Sequence, residues 1–271
     1  MKLKKIVAIG LTAISMMALI AGCGNDAKPA ATNELPKKIV IGLDDSFPPM
    51  GFKNEKGEIV GLDIDLAKEA AKRAGMEVEF KGIDWASKEA ELKSKHIDAL
   101  WNGLTVTPER EKNILFSNPY YNDKEYIVVR ADDNSITDKA SLAGKVVAVQ
   151  QASTGERAID ADAAAKTVKE IKRYPDFMNA FMDLGIGRVD AVIADGVIAR
   201  YTMQKEPGKY KIVEGTDYGV DVFAVGFRKE DTALRDKFNQ ILIDMKKDGS
   251  ADQIFIKWFG TASEINKDDV K

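Results

Sequence analysis

The chain has 271 residues, of which 45% are apolar and 31% charged, and its formal net charge is −3. This is the balance of a globular protein long enough for two cores; it argues against a disordered or membrane-embedded chain, and against nucleic-acid binding, which needs a basic face. With one cysteine, Cys23, and one histidine, His96, an intrachain disulfide and a Cys/His zinc site are both excluded.

The chain opens on Met1-Lys2-Leu3-Lys4-Lys5 and an apolar run over 6–21. A charged start followed by an apolar stretch is the pattern of a signal peptide, and the run is short of the ~20 apolar residues that span a bilayer. It ends in Ile20-Ala21-Gly22-Cys23, small residues directly before the only cysteine. That resembles the bacterial lipobox, which implies a signal peptide over 1–22 and a lipid on Cys23. Ala, Asn, Thr, Lys and Pro dominate the next stretch, so 23–36 reads as a flexible tether and the folded part as starting near residue 37.

From there, β-branched runs alternate with helical spacing. A strand is predicted over 38–43, a helix over 62–74 stopped by Gly75, a strand over 77–83, a helix over 88–96 with His96 at its solvated end, and a strand over 97–101. An extended segment follows over 120–130. The pattern then restarts: strand 145–150, helix 156–165, strand 169–174, helix 177–184 and strand 189–194. A strand over 222–227 and helices over 232–247 and 250–258 finish the chain. Such alternation predicts an α/β protein with two similar lobes, each a mainly parallel sheet flanked by helices.

In open α/β sheets, ligands bind beyond the carboxyl ends of the strands. Four loops follow predicted strands: 44–51, 102–110, 150–156 and 195–196. The second carries the most chemistry. Asn102-Gly103-Leu104-Thr105-Val106-Thr107-Pro108-Glu109-Arg110 offers backbone N–H groups at a glycine turn, two hydroxyls and a guanidinium. Thr107 before Pro108 reads as a helix cap, which puts Arg110 in a first turn, where a cation is unfavourable unless an anion joins it. Arg110 is thus either a carboxylate clamp or a surface partner of Glu109 or Glu111. Ser153-Thr154-Gly155-Glu156 is either a second anion-friendly turn or a simple cap. Asp195 ends an otherwise apolar strand, so it faces a cation or caps the next helix. One cation, several donors and one acid match a zwitterion: carboxylate to Arg110, Thr105 and Thr154, ammonium to Asp195. Asp44, Phe47 and Trp85 would suit a polar or cationic side chain, or Phe47 and Trp85 are core.

The stretches Asp44-Asp45-Ser46-Phe47-Pro48-Pro49-Met50-Gly51-Phe52, Gly61-Leu62-Asp63-Ile64-Asp65-Leu66-Ala67, Ile97-Asp98-Ala99, Gly103 to Arg110 and Phe116-Ser117-Asn118-Pro119-Tyr120-Tyr121, with Gly226-Phe227-Arg228-Lys229 and Lys257-Trp258-Phe259-Gly260, resemble the polar amino-acid binding proteins of ABC transporters, solute-binding protein family 3. The resemblance implies a periplasmic-binding-protein type II fold: lobe 1 over 37–123 and 219–271, lobe 2 over 124–218, joined by two hinge strands and closing like a trap. It implies a ligand site built from Asp44, Phe47, Trp85, Asn102, Gly103, Thr105, Arg110, Gln150, Thr154 and Asp195. No cofactor, metal or catalysis is implied. The partners implied are a free amino acid, a permease with its ATPase, and the membrane through Cys23, for a monomer outside the cytoplasm. The family's usual aromatic and Glu after the prolines are here Met50 and Gly51. The Asp-Asp-Ser-Phe and Trp-Asn-Gly forms are similar to a subgroup for which a basic ligand, arginine-like, is plausible, beside cystine, glutamine or another polar amino acid. Two alternatives of another class are a cyclohexadienyl-dehydratase-like enzyme on the same fold and the sensor domain of a receptor.

Overall fold

The computed structural model describes residues 35–262. Cys23 and the leader lie outside the described residues, as does the end of the chain from 263.

The first sheet forms from β1 (Lys38–Leu43), β5 (Glu77–Gly82), β6 (Ala99–Leu100), β7 (Ile114–Phe116) and β13 (Gly226–Arg228), in the order β5-β1-β6-β13-β7. A small sheet of β2 (Ser46–Phe47), β3 (Gly51–Lys53) and β4 (Ile59–Val60) sits in the loop after β1. Helix α1 (Leu62–Ala74) turns Leu62, Ile64, Leu66, Ala67, Ala70 and Ala71 into the core, as its spacing predicts. It stops at Gly75, whose φ of 70° lets its N–H reach back to the carbonyls of Ala71 and Lys72. Helix α2 (Lys88–Lys93) follows a short 3-10 turn at Trp85–Ser87.

The second sheet contains β8 (Tyr121–Arg130), β9 (Val146–Gln150), β10 (Glu170–Tyr174), β11 (Ala191–Asp195) and β12 (Tyr210–Phe223), in the order β10-β9-β11-β8-β12. Helices α3 (Thr154–Ala161), α4 (Phe177–Gly185) and α5 (Gly196–Lys205) belong to this half. Two last helices, α6 (Thr232–Lys247) and α7 (Ser250–Phe259), return to pack beside α1. The chain leaves the first sheet at Phe116 and re-enters it at Gly226. The two crossings run side by side, tied by Ser117 N–H to Val225 O at 2.8 Å and Tyr120 N–H to Phe223 O at 2.9 Å.

Several expectations need adjusting. In each sheet three adjacent strands run parallel, and the other two pairings are antiparallel. The crossing segments cause this, because a chain that returns from the other half enters the sheet from the opposite end. The helix expected over 88–96 ends at Lys93, where Lys95 takes a φ of 64°. The helix expected from 156 starts at Thr154 and breaks at Asp162, which caps a separate 3-10 turn. The strand expected over 222–227 is the end of β12 and the start of β13.

What the fold does for the site is simple. β1 and β6 in the first sheet, and β9 and β11 in the second, end at Leu43, Leu100, Gln150 and Asp195. The loops after those ends face each other across one gap.

Candidate functional site

A small cavity lies in that gap, lined by Asp44, Phe47, Trp85, Asn102, Gly103, Thr105, Arg110, Gln150, Ser153, Thr154 and Asp195. All ten residues expected at the site are brought together there. Ser153 joins them; its hydroxyl also caps α3 by accepting from the Glu156 N–H at 3.0 Å.

The first half builds a rigid donor wall. Asp63 is fully buried and accepts from the Gly103 N–H at 2.7 Å and from the Tyr120 hydroxyl at 2.8 Å. Gly103 itself has a φ of 56°, and a Cβ there would sit 2.7 Å from the Phe47 ring, so only glycine fits. Asn102 Oδ1 accepts from the Asp44 N–H at 3.1 Å and ties two loops together. Thr107 Oγ1 accepts from the Arg110 N–H at 3.2 Å, but in place of the helix expected from Pro108 there is only a 3-10 turn over Arg110–Lys112 with Glu109 in its cap position.

Arg110 is 5% exposed, which rules out the surface pairing with Glu109 or Glu111. Its guanidinium donates to the Thr105 carbonyl at 2.9 Å and, across the gap, to the Ala152 carbonyl at 3.1 Å. Neither acceptor is a carboxylate. Five guanidinium donors and two neutral acceptors leave the group equipped for an anion.

The second half builds an acidic wall. Asp195 is 5% exposed, and its side chain makes no capping bond to α5. Carboxylate oxygens of Glu125, Asp195 and Asp221 all lie within 4.8 Å of one another. Burial, together with the Glu125, Asp123 and Asp221 carboxylates, pushes the Asp195 carboxyl well above its usual range. Burial likewise pushes Glu125 up to about 8, against a 2.5 Å hydrogen bond from the Thr154 hydroxyl that favours its charged form. Among the described residues Arg110 and Asp195 form no ion pair with each other or with any other group, although both line the same cavity.

At the far end, Asp44 is buried and accepts from the Gln150 amide at 2.6 Å and from the Ser46 N–H at 2.9 Å. Burial still raises its carboxyl to about 6. Phe47 packs on Phe177 of α4 with ring centroids 5.7 Å apart, and Trp85 closes the side. The halves touch directly through Gln150–Asp44, Arg110–Ala152 and the Thr105–Thr154 hydroxyls at 3.4 Å. The cleft is therefore in its closed form.

Sequence reading missed Glu125, Asp123 and Asp221, which stand behind Asp195. A signal for two of them was present. In β8, Ile127 and Val129 face the core, and a period of two carried back from them lands on Glu125 and Asp123. Lys88, whose ammonium reaches the Ala152 carbonyl, carries no such signal.

Two lobes closed on a cavity with a guanidinium at one wall and acids at the other define a solute-binding protein of the two-lobed, hinged class. The chain belongs to the bacterial extracellular solute-binding proteins, family 3, whose model matches residues 39–261. It is similar to the histidine-binding periplasmic protein of Salmonella typhimurium, 36% identical over 237 residues that cover 85% of this chain and 90% of the relative. An ancestral arginine-binding protein, solved bound to arginine and bound to glutamine, matches with a TM-score of 0.79 and 40% identity, over 84% of this chain and 100% of its own. A substrate-binding protein of an ABC uptake transporter from Streptococcus pneumoniae, solved with bound histidine, matches at 0.79 and 35% identity, over 85% of this chain and 95% of its own.

Proposed function

We propose that the protein captures a free L-amino acid with a cationic side chain and passes it to an ABC permease. One observation carries the reading: Arg110 and Asp195 line the same small cavity without pairing to each other. A zwitterion satisfies both. Its α-carboxylate meets Arg110 and the Thr105 and Thr154 hydroxyls, with the Gly103 backbone beside them. Its α-ammonium meets Asp195. The side chain then points toward Asp44, Phe47, Trp85, Asn102 and Gln150. An acid between aromatic faces favours a guanidinium or ammonium. The Gln150 amide beside it gives a second reading, a neutral polar side chain such as that of glutamine or half of cystine.

The named relatives support amino-acid binding, since they are binding proteins for histidine and arginine. In this reading the first sheet and its helices move against the second sheet and its helices about the paired crossings, and the boundaries expected at 123 and 219 shift to about 120 and 224, where the second sheet starts and ends. The chain is held outside the membrane by a lipid on Cys23, works as a monomer, and carries no cofactor and no catalytic group. Calorimetric titration with the common L-amino acids tests the core of it. Arginine is expected to bind in the micromolar range or tighter; if none binds below about 100 µM, about −5.5 kcal/mol, the reading fails. Mass spectrometry of membrane-extracted protein tests the anchor: Cys23 should carry the lipid and be the first residue.

A further inference from the structure

Lys88, the first residue of α2, is only 3% exposed. Its ammonium donates to the Trp85 carbonyl at 3.1 Å and, across the gap, to the Ala152 carbonyl at 3.1 Å. It also stands 4.9 Å from the centre of the Trp85 ring. Two carbonyls and a ring face serve its three N–H groups. Among the described residues no carboxylate pairs with it.

Burying an unpaired ammonium costs several kcal/mol, so the position needs a reason. Ala152 supplies one. Its carbonyl is the acceptor that Arg110 also uses from the same lobe. Two cations of the first lobe thus converge on one backbone oxygen of the second. Ala152 is held there in a left-handed conformation, φ 58°, with its N–H donating to Glu156 Oε2 at 2.6 Å. The next two residues, Ser153 and Thr154, line the cavity. A contact that exists only when the lobes meet shifts the equilibrium toward the closed form. Burial and the nearby Arg110 guanidinium push the Lys88 ammonium down to about 7, and even its neutral amine keeps two N–H donors for the two carbonyls.

We propose that Lys88 is a positioning residue of the site: it latches the loop at Ala152 to the first lobe and sets how long the ligand stays. The proposal rests on the amino-acid-binding reading, and the tests separate the two.

The experiment is stopped-flow Trp fluorescence with L-arginine as the probe, comparing wild type with Lys88→Met, which keeps the apolar stem on Trp85 and removes the donors. The latch predicts a koff raised about tenfold, equivalent to about 1.4 kcal/mol, with kon within twofold and the unfolding temperature of the free protein unchanged. Lys88→Arg, which restores donors, should recover most of the slow release. An unchanged or slower koff in Lys88→Met overturns the proposal. So does a loss seen equally in the free protein's unfolding, which would mark Lys88 as ordinary packing. If wild type binds none of the common amino acids, that failure belongs to the ligand reading. Small-angle scattering of the free protein then decides the latch: a more open average shape in Lys88→Met than in wild type supports it, and identical curves overturn it.

Discussion

The two walls of the cavity handle charge in opposite ways. The first lobe presents Arg110, pinned by neutral carbonyls on a loop that Asp63 holds from beneath. The second presents Asp195 with Glu125 and Asp221 crowded behind it. One wall is a single preorganised cation, the other a cluster of acids with more negative charge than the site can hold ionised. The lobes could cancel these charges by pairing Arg110 with Asp195, and they do not. Charges kept apart in a buried site stay costly until a partner bridges them, so the arrangement selects ligands that bring both signs at once.

The strongest way to break this comparison is to remove the cation. Arg110→Ala should weaken L-arginine binding by about 1,000-fold or more, because truncating one member of a buried charge pair costs about 2–5 kcal/mol. Calorimetry reads this directly. Removing the acid should cost less: Asp195→Asn keeps the shape and some hydrogen bonding, and Glu125 and Asp221 remain nearby. About 100-fold is expected for L-arginine, at the lower part of the same range. A deaminated analogue, which retains the carboxylate and guanidinium, should lose far less. Equal losses for both ligands would mean that Asp195 does not meet the ammonium.

How much of this was legible follows from where each group sits. The first wall is written in one contiguous loop, Asn102 to Arg110, where residue types, capping logic and spacing all point to an anion. Asp195 was readable as the polar end of an apolar strand, and Asp44, Phe47 and Gln150 as residues at or just beyond strand ends. The rest depends on register and on contact between lobes. Glu125 and Asp123 lie in a stretch whose sequence shows only an extended segment, and it is the two-residue period of β8 that places them inward. Asp221 is visible only once β12 pairs with β8, where it sits opposite Asp123. Lys88 looks like any surface lysine opening a helix, and its contacts with Trp85 and, across the gap, with Ala152 appear only in the folded, closed arrangement. The mixed direction of the sheets was missed because nothing local marks the end at which a returning strand enters.

Asp44 offers a smaller test of the far end. Its carboxyl is raised to about 6 by burial, and a cationic side chain docking beside it would stabilise the charged form. Binding then releases a proton wherever the free site is protonated, so affinity for arginine should fall as pH drops through 6. At pH 5 the loss should be about tenfold relative to neutral pH. Glutamine, whose side chain is neutral, should show no such slope. If both ligands show the same pH profile, the side chain does not reach Asp44.

The smallest expected effect concerns the acid cluster without any ligand. Glu125 is buried, its carboxyl is raised to about 8, and Oε2 has no hydrogen-bond partner. A raised carboxyl pKa means that the folded protein holds a proton which the unfolded chain releases between about pH 4.5 and 8. Stability contributed by Glu125 is therefore present below the unfolded value and lost as pH rises toward 8. Glu125→Gln fixes the side chain in a neutral form that can still meet the Thr154 hydroxyl. It should raise the unfolding temperature of the free protein at pH 8 by a few degrees, about 1 kcal/mol for a chain of this size. Near pH 4.5 it should change little, so thermal unfolding followed across that range should show a flatter slope in the variant. A slope as steep as that of wild type would mean that Glu125 stays ionised, and that the second wall carries its full charge before any ammonium arrives.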